Sequence, residues 1–486
     1  MLDTWIHNVR LIDGCGVAPT QPGAVDVGIR DGHIHLLRRD APQGVQAKEI
    51  VDGRGNVLCP GFIDVHAHDD LSVLRTPEML PKLSQGITTV IVGNCGISAA
   101  PVTLTGDLPD PMNLLGPADA FRYPTFADYV HAIDTAQPAT NVAALVGHTA
   151  LRSNHLDRLD RAATSTEIGA MREQLREALM NGALGLSTGL AYANAFAATT
   201  EEVMALAEPL AEAGALYTTH LRSEFAAILD AMDEAFRIGR QARVPVVISH
   251  LKCAGPANWG RSAEVLRALA TASRSQAVGC DCYPYAASSS TLDLNQVTDD
   301  IVITINWSTP HPEMAGRSLA DIAAEWQVNA VTAAARLQPA GAVYYNMSEE
   351  DVSRILAHPA AVIGSDGLPN DPRPHPRLWG AFPRVLGHYS RDRGLMPLAT
   401  AVRKMTGKSA VRFGLTNRGF IRDGYAADLV LFDPDTVRDT ATFADPIRPA
   451  EGIEAVWVNG VLSYRSGKAL PRRAGRFLRR GALTHD

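Results

Sequence analysis

The sequence lacks an excess of positive charge and any long apolar run. Its 486 residues include 45 basic and 52 acidic side chains, for a formal net charge of -7, so there is no electrostatic reason to expect nucleic acid or an anionic membrane as a partner. No stretch reaches the roughly 18 apolar residues of a membrane-spanning helix, and "MLDTWIHNVRLIDG" has no signal-peptide pattern. These absences predict a soluble cytoplasmic protein that acts on a small molecule.

Cysteine is also scarce. Six cysteines in a chain of this length are too few for a disulfide scaffold. Cys253, Cys280 and Cys282 fall in apolar segments that we expect to be buried. We therefore expect the thiols to be reduced.

Short apolar stretches with turn signals occupy both ends of the chain. Those before residue 61 are "WIHNVRLIDG", "AVDVGIRDGHIHLLR" and "KEIVDGRGNVLCPG", which predict a small antiparallel sheet. Those after residue 417 are "GFIRDGYAADLVLFDP" and "IEAVWVNGVLSYRSG", in which "VNG" predicts a hairpin turn. Neither end has enough strands alone. We predict that residues 1–60 and 418–486 join in one β-sandwich.

The middle of the chain alternates strand-length apolar runs with helix-like stretches. A chain of this length suggests two or three units, unless a large α/β barrel takes most of it. The runs are "GFIDVHAH", "GITTVIVGNCG", "NVAALVGHTA", "ALGLSTGL", "ALYTTHL", "VPVVISHLK", "AVGCDCYPY" and "AAVIGSDG". Eight strands, each followed by a helix, close a TIM-like barrel. We predict an α/β fold with a (β/α)8 barrel over residues 61–417.

Residue types that bind metals lie at the predicted C-terminal ends of these strands, where such barrels place their catalytic groups. His66 and His68 are two positions apart, so both imidazoles face one side of a strand. Alone, the pair could chelate a metal or could be an ordinary polar strand end. The other strand ends bear Cys95, His148, His220, His250 and Asp366. The recurrence favours a metal site over a scatter of structural histidines.

The ligand types indicate the chemistry. Imidazole together with thiolate favours zinc over magnesium or calcium, which prefer oxygen ligands. A catalytic zinc keeps a position open for water, and a carboxylate that is not a ligand can accept a proton from that water. Asp366 in "IGSDG" fits this role. Nothing requires His148 as a ligand, so we expect it to form a supporting hydrogen bond.

Several longer motifs resemble the amidohydrolase superfamily and, within it, the N-acyl-D-amino-acid deacylases or D-aminoacylases. They are "PGFIDVHAHDD", "TTVIVGNCGIS", "TTHLRSE", "VVISHLK", "IGSDGLPNDPRPHPRLWGAFPRVLGHYSRD" and "GYAADLVLFDPDTV". The resemblance covers nearly the whole chain. Many dinuclear superfamily members have a carboxylated lysine after the fourth strand, but "ALGLSTGLAY" has no lysine. The deacylases use a cysteine from the second strand instead, which matches Cys95.

The resemblance implies a role for each candidate residue. It places one tightly held zinc on Cys95, His220 and His250, and a second, weaker or empty position at His66 and His68. Asp366 becomes the general base for hydrolysis of an N-acyl-D-amino acid to a carboxylate and a D-amino acid. It also implies that Lys252 and Arg377 bind the substrate α-carboxylate, with Tyr283 and Tyr192 as further members of that pocket. A small inserted lid is expected over about residues 286–345.

The segment after the YPY motif bears on substrate preference. Deacylases that prefer acidic D-amino acids are expected to place an arginine there, but "YPYAASSSTLDLNQVTDDIVIT" contains none and contains three aspartates. Burying a substrate carboxylate without a cationic partner would cost roughly 2 to 5 kcal/mol. We therefore expect neutral or apolar D-amino acids to be preferred over D-glutamate.

Two other functions fit the same pattern. A cyclic-amide hydrolase, such as a hydantoinase or a dihydroorotase-like enzyme, shares the metal chemistry but has less need for Lys252 and Arg377. A non-catalytic barrel scaffold is less compatible with the full set of ligand types and Asp366. The sequence does not determine the acyl group or the oligomeric state, and a monomer is compatible with it.

Overall fold

The computed structural model describes residues 1–21, 25–38, 45–104 and 106–481. Its strands are Leu2–His7, Arg10–Leu11, Val25–Arg30, His33–Arg38, Ala47–Asp52, Val57–Pro60, Phe62–Asp64, Ile87–Val92, Asn141–Ala144, Val146–Gly147, Gly185–Gly189, Leu216–His220, Val246–Ile248, Val278–Cys282, Ser288–Thr291, Ile303–Ser308, Ala340–Tyr344, Ala361–Ile363, Leu429–Phe432, Ile453–Val458, Val461–Arg465 and Lys468–Ala469. Its α-helices are Ser72–Arg75, Leu80–Leu83, Phe126–Ala136, His148–His155, Ser165–Met180, Ala193–Phe196, Thr200–Ala207, Pro209–Ala213, Ile228–Ala242, Ser262–Ala272, Leu319–Glu325, Ala330–Leu337, Glu349–Ala357, Arg377–Arg384, Leu398–Met405 and Gly407–Arg412, and a π-helix covers Val385–Asp392.

A ring of parallel strands forms the barrel. The strands pair in sequence order, and the third consists of two short pieces, Asn141–Ala144 and Val146–Gly147. The others are Phe62–Asp64, Ile87–Val92, Gly185–Gly189, Leu216–His220, Val246–Ile248, Val278–Cys282 and Ala361–Ile363. These strands coincide with the eight apolar runs of the sequence, so the expected (β/α)8 barrel is confirmed.

The first and last barrel strands lie next to each other. Ala67 and Gly367 form a parallel bridge just beyond the two strands. The backbone N–H of Asp366 donates to the carbonyl oxygen of His66 over 2.8 Å. The closure of the ring therefore places the histidine pair of the first strand beside the aspartate of the eighth.

The helices around the barrel follow from local sequence signals. Thr164 and Glu167 form a capping box, in which each side chain accepts a hydrogen bond from the backbone N–H of the other at the start of Ser165–Met180. In Ile228–Ala242 the buried residues recur every three or four positions, as on one face of an amphipathic helix. Such faces cover the apolar outer side of a parallel sheet, whose strands are buried on both faces. No described helix combines the length and apolar character needed to cross a membrane.

The two ends of the chain meet in a β-sandwich. One sheet contains only N-terminal strands, between residues 2 and 52. The other places Arg10–Leu11 and Val57–Pro60 beside the four C-terminal strands from Leu429 onward. Leu58 and Trp457 belong to one apolar core with residues of the first sheet. The two ends therefore share one core, as their strand patterns indicate.

The expected antiparallel arrangement of the N-terminal strands is wrong in part. Leu2–His7 pairs in parallel with Ala47–Asp52, and Arg10–Leu11 pairs in parallel with Val57–Pro60. In the chain, Leu2–His7 and Ala47–Asp52 are separated by a hairpin over residues 25–38. This intervening segment is long enough for the second strand to return and run in the same direction as the first. At the other end the expected hairpin is confirmed, with Asn459 and Gly460 at φ of +49° and +81° between two antiparallel strands.

An inserted segment separates the seventh and eighth barrel strands. Its strands Ser288–Thr291, Ile303–Ser308 and Ala340–Tyr344 form an antiparallel sheet. Helices Leu319–Glu325 and Ala330–Leu337 pack with this sheet in a separate apolar core. The location fits the lid expected over about residues 286–345. The bounds of the lid, and the divisions after residues 60 and 417, stay predictions.

Candidate active site

The barrel strands open into a cleft of about 1060 Å³. One part of its lining comes from the strand ends and includes His68, His220, His250 and Asp366. Another part is residues 288–296 of the inserted segment, together with Tyr344. A cleft of this size can enclose a small organic substrate.

Buried metal-ligand atoms converge at the bottom of this cleft. Donor atoms of His66, Cys95, His250 and Asp366 all lie within 4.8 Å of one another. Cys95 Sγ is 3.2 Å from His66 Nε2 and 3.3 Å from His250 Nε2, so the sulfur lies between two imidazoles. The barrel thus brings together side chains that are up to 300 positions apart in the sequence.

The other two predicted ligands lie beside this group. His220 forms a second donor group with Glu224 and His250, and its ring centroid is 4.4 Å from that of His250. His68 Nε2 is 3.1 Å from Asp366 Oδ1. Every residue that the sequence nominated as a ligand is therefore at this one end of the barrel.

Three of the converging residues have an unusual backbone. The φ angles of Cys95, His250 and Asp366 are +54°, +34° and +52°, in the left-handed region that residues with a Cβ rarely adopt. Gly96 completes the turn after Cys95, and a Cβ at that position would lie only 2.6 Å from the backbone nitrogen of Gly189. Strained conformations of this kind concentrate at functional sites, where surrounding contacts enforce them.

The electrostatics match a metal centre. Burial raises the pKa of the Cys95 thiol, but the charges of His66 and His250 lower it more, to well below its ordinary value. Burial also raises the pKa of the Asp366 carboxyl, and Arg377 with the same imidazoles holds it well below the usual range. A thiolate surrounded by imidazoles is a zinc donor set. The residues at this position therefore fit the metal that the sequence predicts.

Two carboxylates that the sequence analysis missed support the imidazoles. Asp281 is 3.2 Å from His66 Nδ1 and accepts a hydrogen bond of 2.8 Å from the backbone N–H of His250. Glu224 Oε1 is 3.0 Å from His250 Nδ1. Hydrogen bonds to the far nitrogen orient a ligating imidazole. The motifs "GCDCYPY" and "TTHLRSE" contain these residues, but only the folded barrel shows what they contact.

The expected carboxylate-binding residues surround one tyrosine. The Arg377 guanidinium carbon lies 4.6 Å and the Lys252 Nζ 5.8 Å from the centroid of the Tyr283 ring. Tyr192 lies on the His220 side, with its ring centroid 4.9 Å from that imidazole. Lys252, Tyr283 and Tyr192 line the cleft. The structure thus brings Lys252, Arg377 and Tyr283 together and places Tyr192 across the imidazole cluster.

His148 lies outside both donor groups. Its Nε2 is 3.1 Å from Glu202 Oε1, and Arg152 contacts the same carboxylate oxygen. All three side chains are buried. His148 is therefore bonded within the barrel wall to a carboxylate that is not one of the predicted ligands, and its expected support of the metal site stays a prediction.

The amidohydrolase family model matches residues 49–464. Among curated relatives, D-aminoacylase of Alcaligenes xylosoxydans xylosoxydans is 48% identical over 481 residues, covering 99% of this chain and 98% of that protein. The N-acyl-D-aspartate deacylase of the same organism is also 48% identical over 481 residues, with coverage of 99% and 95%.

Two solved structures are similar over nearly the whole chain. One is a D-aminoacylase described with a binuclear metal centre, one-metal activation and second-metal attenuation, at a TM-score of 0.95 and 46% identity, covering 99% of this chain and 100% of that one. The other is N-acyl-D-glutamate deacylase from Bordetella bronchiseptica with zinc and a phosphonate mimic of the tetrahedral intermediate, at a TM-score of 0.93 and 44% identity, covering 98% and 99%.

Proposed function

This chain belongs to the amidohydrolase family, and within it to the D-aminoacylases and N-acyl-D-amino-acid deacylases; on that premise we propose that it hydrolyses N-acyl-D-amino acids with neutral or apolar side chains at a zinc centre. The products are a carboxylic acid and a D-amino acid. The named relatives act on linear amides, which argues against a cyclic-amide hydrolase and against a non-catalytic barrel. The observation that carries the proposal is the convergence of Cys95, the imidazoles and Asp366 at the end of the barrel that opens into the cleft.

The donor set suggests how the metal would be held. A zinc ion on Cys95, His220 and His250 would polarise the amide carbonyl and lower the pKa of water. His66 is as close to the Cys95 sulfur as His250 is, so the thiolate can serve a second position that includes His66 and His68. We assign tight binding to the first position and weaker binding to the second.

Asp366 acts as the general base in this proposal. Its lowered pKa keeps the carboxylate ionised at neutral pH and able to accept a proton. It takes one proton from the attacking water as the water oxygen bonds to the amide carbon. The same proton then passes to the amide nitrogen as the C–N bond breaks, which releases the D-amino acid as an amine. Arg377, in contact with the carboxylate, holds it in place.

Arg377 and Lys252 are the proposed partners of the substrate α-carboxylate. The guanidinium has a planar fork suited to a carboxylate, and the ammonium adds a point charge. Arg377 is buried behind the lining of the cleft, and its Nε has no hydrogen-bond partner among the described residues. Both cationic groups lie over the Tyr283 ring.

The lining of the cleft supports a preference for neutral or apolar side chains. Apart from histidines, its cationic residues among those described are Arg222 and Lys252. Arg222 is held by Glu234 through contacts of 2.9 and 2.8 Å. Asp110 and Asp293 also line the cleft and would repel a second carboxylate. An acidic side chain would therefore lack a free cation, at a cost of roughly 2 to 5 kcal/mol if it were buried.

A substrate panel with metal analysis tests the proposal. N-acetyl derivatives of D-leucine, D-methionine and D-phenylalanine are compared with those of D-glutamate, D-aspartate and L-leucine, and with a hydantoin, while bound zinc is measured in the same sample. We expect the neutral D-substrates to exceed the acidic ones by at least about 30-fold in kcat/KM, which corresponds to about 2 kcal/mol. A preference for N-acetyl-D-glutamate or for the hydantoin would overturn the proposal.

A further inference from the structure

Glu224 is a largely buried carboxylate that the proposed reaction does not use. It lies in the loop after the fifth barrel strand, and its side chain is 12% exposed. Its carbonyl oxygen accepts a 2.8 Å hydrogen bond from the backbone N–H of Ala254, in the loop after the next strand. The backbone at Glu224 is thereby fixed relative to the neighbouring loop.

One oxygen of Glu224 contacts two functional side chains. Oε1 is 3.0 Å from His250 Nδ1 and 2.5 Å from Lys252 Nζ. Lys252 Nζ is also 2.7 Å from the same imidazole nitrogen. These three groups form a closed triangle next to a proposed zinc ligand and a proposed substrate-binding cation.

The triangle has only one assignment of hydrogen bonds that suits a metal ligand. His250 Nε2 faces the proposed zinc ligand Cys95, so this is the nitrogen that would bind the metal. To do so it must present its lone pair, and Nδ1 must hold the proton. An ammonium group can only donate, and a protonated Nδ1 cannot accept from it. Both N–H groups therefore need an acceptor, and Glu224 Oε1 is in reach of both.

Without this carboxylate, the proton of His250 would lie on the other ring nitrogen. Lys252 would donate to His250 Nδ1, which would then have to be unprotonated. The proton would move to Nε2 and point at Cys95, where a metal ligand must offer a lone pair. A carboxylate at the position of Glu224 would therefore favour the tautomer of His250 that can bind a metal.

We propose that Glu224 is a positioning residue that holds the His250 imidazole in its metal-binding tautomer and the Lys252 ammonium at the substrate carboxylate site, through one shared oxygen. The inference rests on the proposed function and adds a link between metal retention and substrate recognition. Because the same oxygen serves both partners, one substitution should affect two separable properties.

The test uses the purified zinc enzyme and the variants Glu224→Ala and Glu224→Gln. Zinc release to a chelator is measured without substrate, and KM and kcat are measured for N-acetyl-D-leucine and for an N-acetyl amine without a carboxylate. Glu234→Gln is the matched control, because Glu234 is similarly buried and paired with Arg222 but does not contact His250 or Lys252.

We expect Glu224→Ala to weaken zinc binding roughly 10- to 100-fold, as loss of other supports of a ligating imidazole does. KM should rise for N-acetyl-D-leucine and stay near the wild-type value for the N-acetyl amine. Glu224→Gln keeps an oxygen that can accept from Nδ1–H but loses the charge opposite Lys252. It should therefore retain most of the zinc and show mainly the KM effect. Glu234→Gln should leave zinc release unchanged.

Two results would overturn the inference. One is unchanged zinc release in both Glu224 variants, and the other is an equal loss for the two substrates at constant zinc content, which would indicate a merely structural role. If Glu224→Ala does not fold, the test rests on Glu224→Gln, through the comparison of its KM for N-acetyl-D-leucine with its KM for the N-acetyl amine. Failure of the proposed function is distinguishable, because the wild-type enzyme itself would then not hydrolyse N-acetyl-D-leucine.

Discussion

Arg377 Nη1 lies 2.8 Å from Asp366 Oδ2, so the proposed carboxylate-binding arginine also contacts the proposed general base. The arginine is 1% exposed, and its Nη2 donates to the carbonyl oxygen of Ser289 over 3.0 Å. Its guanidinium therefore connects the Asp366 carboxylate to the inserted segment. In the proposed function, substrate recognition and orientation of the general base would both depend on this one side chain.

Replacement of Arg377 distinguishes its two proposed roles, which are binding of the substrate carboxylate and support of Asp366. We expect Arg377→Ala to lower kcat/KM for N-acyl-D-amino acids by roughly 2 to 4 kcal/mol, the range of a charge-assisted interaction at a buried site. An N-acyl amine lacks the carboxylate that the arginine would bind, so the fold decrease in its kcat/KM should be at least about tenfold smaller. Steady-state kinetics on both substrates check this. Equal losses would assign the arginine to the support of Asp366 alone.

Replacement of Asp366 tests the general base. Asp366→Asn keeps the shape of the side chain but cannot accept a proton, so kcat should fall about 100-fold or more. Because Asp366 lies within the donor group of His66, Cys95 and His250, zinc content must be measured in the same preparation. We expect it to be unchanged. Loss of zinc together with activity would make Asp366 a ligand.

Replacement of Cys95 tests the centre of the metal site. The sulfur lies between His66 and His250, and both imidazoles favour its thiolate form. Cys95→Ala should abolish activity and remove the tightly bound zinc, since only imidazoles would remain around the metal. Metal analysis after gel filtration measures this. A variant with a full equivalent of zinc and near-normal turnover would disprove the assignment.

The barrel and the positions of its candidate ligands were predictable because they depend on local rules. Each apolar run of strand length forms a strand, and the C-terminal ends of parallel barrel strands meet at one end. Cys95 and His250 could therefore be placed together without knowledge of any contact. The same rule placed Asp366 at this end of the barrel, and the structure shows its backbone N–H donating to the carbonyl oxygen of His66.

The supporting contacts could not be predicted in this way. Asp281 and His66 are 215 positions apart, and their contact depends on the register of strands that are not adjacent in the barrel. Glu224 follows a strand end in a polar segment and looks like an ordinary solvated residue. The parallel pairing of Leu2–His7 with Ala47–Asp52 was missed because strand patterns do not specify direction.

The barrel wall also contains a buried lysine that should make stability depend on pH. Lys404 is 3% exposed, and its Nζ donates to the carbonyl oxygens of His358 and Ala361 over 2.5 and 3.1 Å. Burial lowers the pKa of Lys404 from 10.5 to about 8. The folded protein therefore loses this proton near pH 8, whereas the unfolded chain keeps it up to about pH 10.5.

The sign of the effect follows from proton binding. Between those pH values the unfolded chain holds more protons, so this group makes the folded state relatively more stable as the pH rises. The full change in the free energy of unfolding is about 3 kcal/mol, at roughly 1.4 kcal/mol for each pKa unit. Lys404→Met has a similar volume and no titration. The thermal midpoint of the wild-type protein, compared with that of Lys404→Met, should therefore increase from about pH 8 to pH 10, because the comparison cancels the other groups that titrate in this range. A difference between the two proteins that stays constant across this interval would show that Lys404 remains charged when buried, held by its two carbonyl partners.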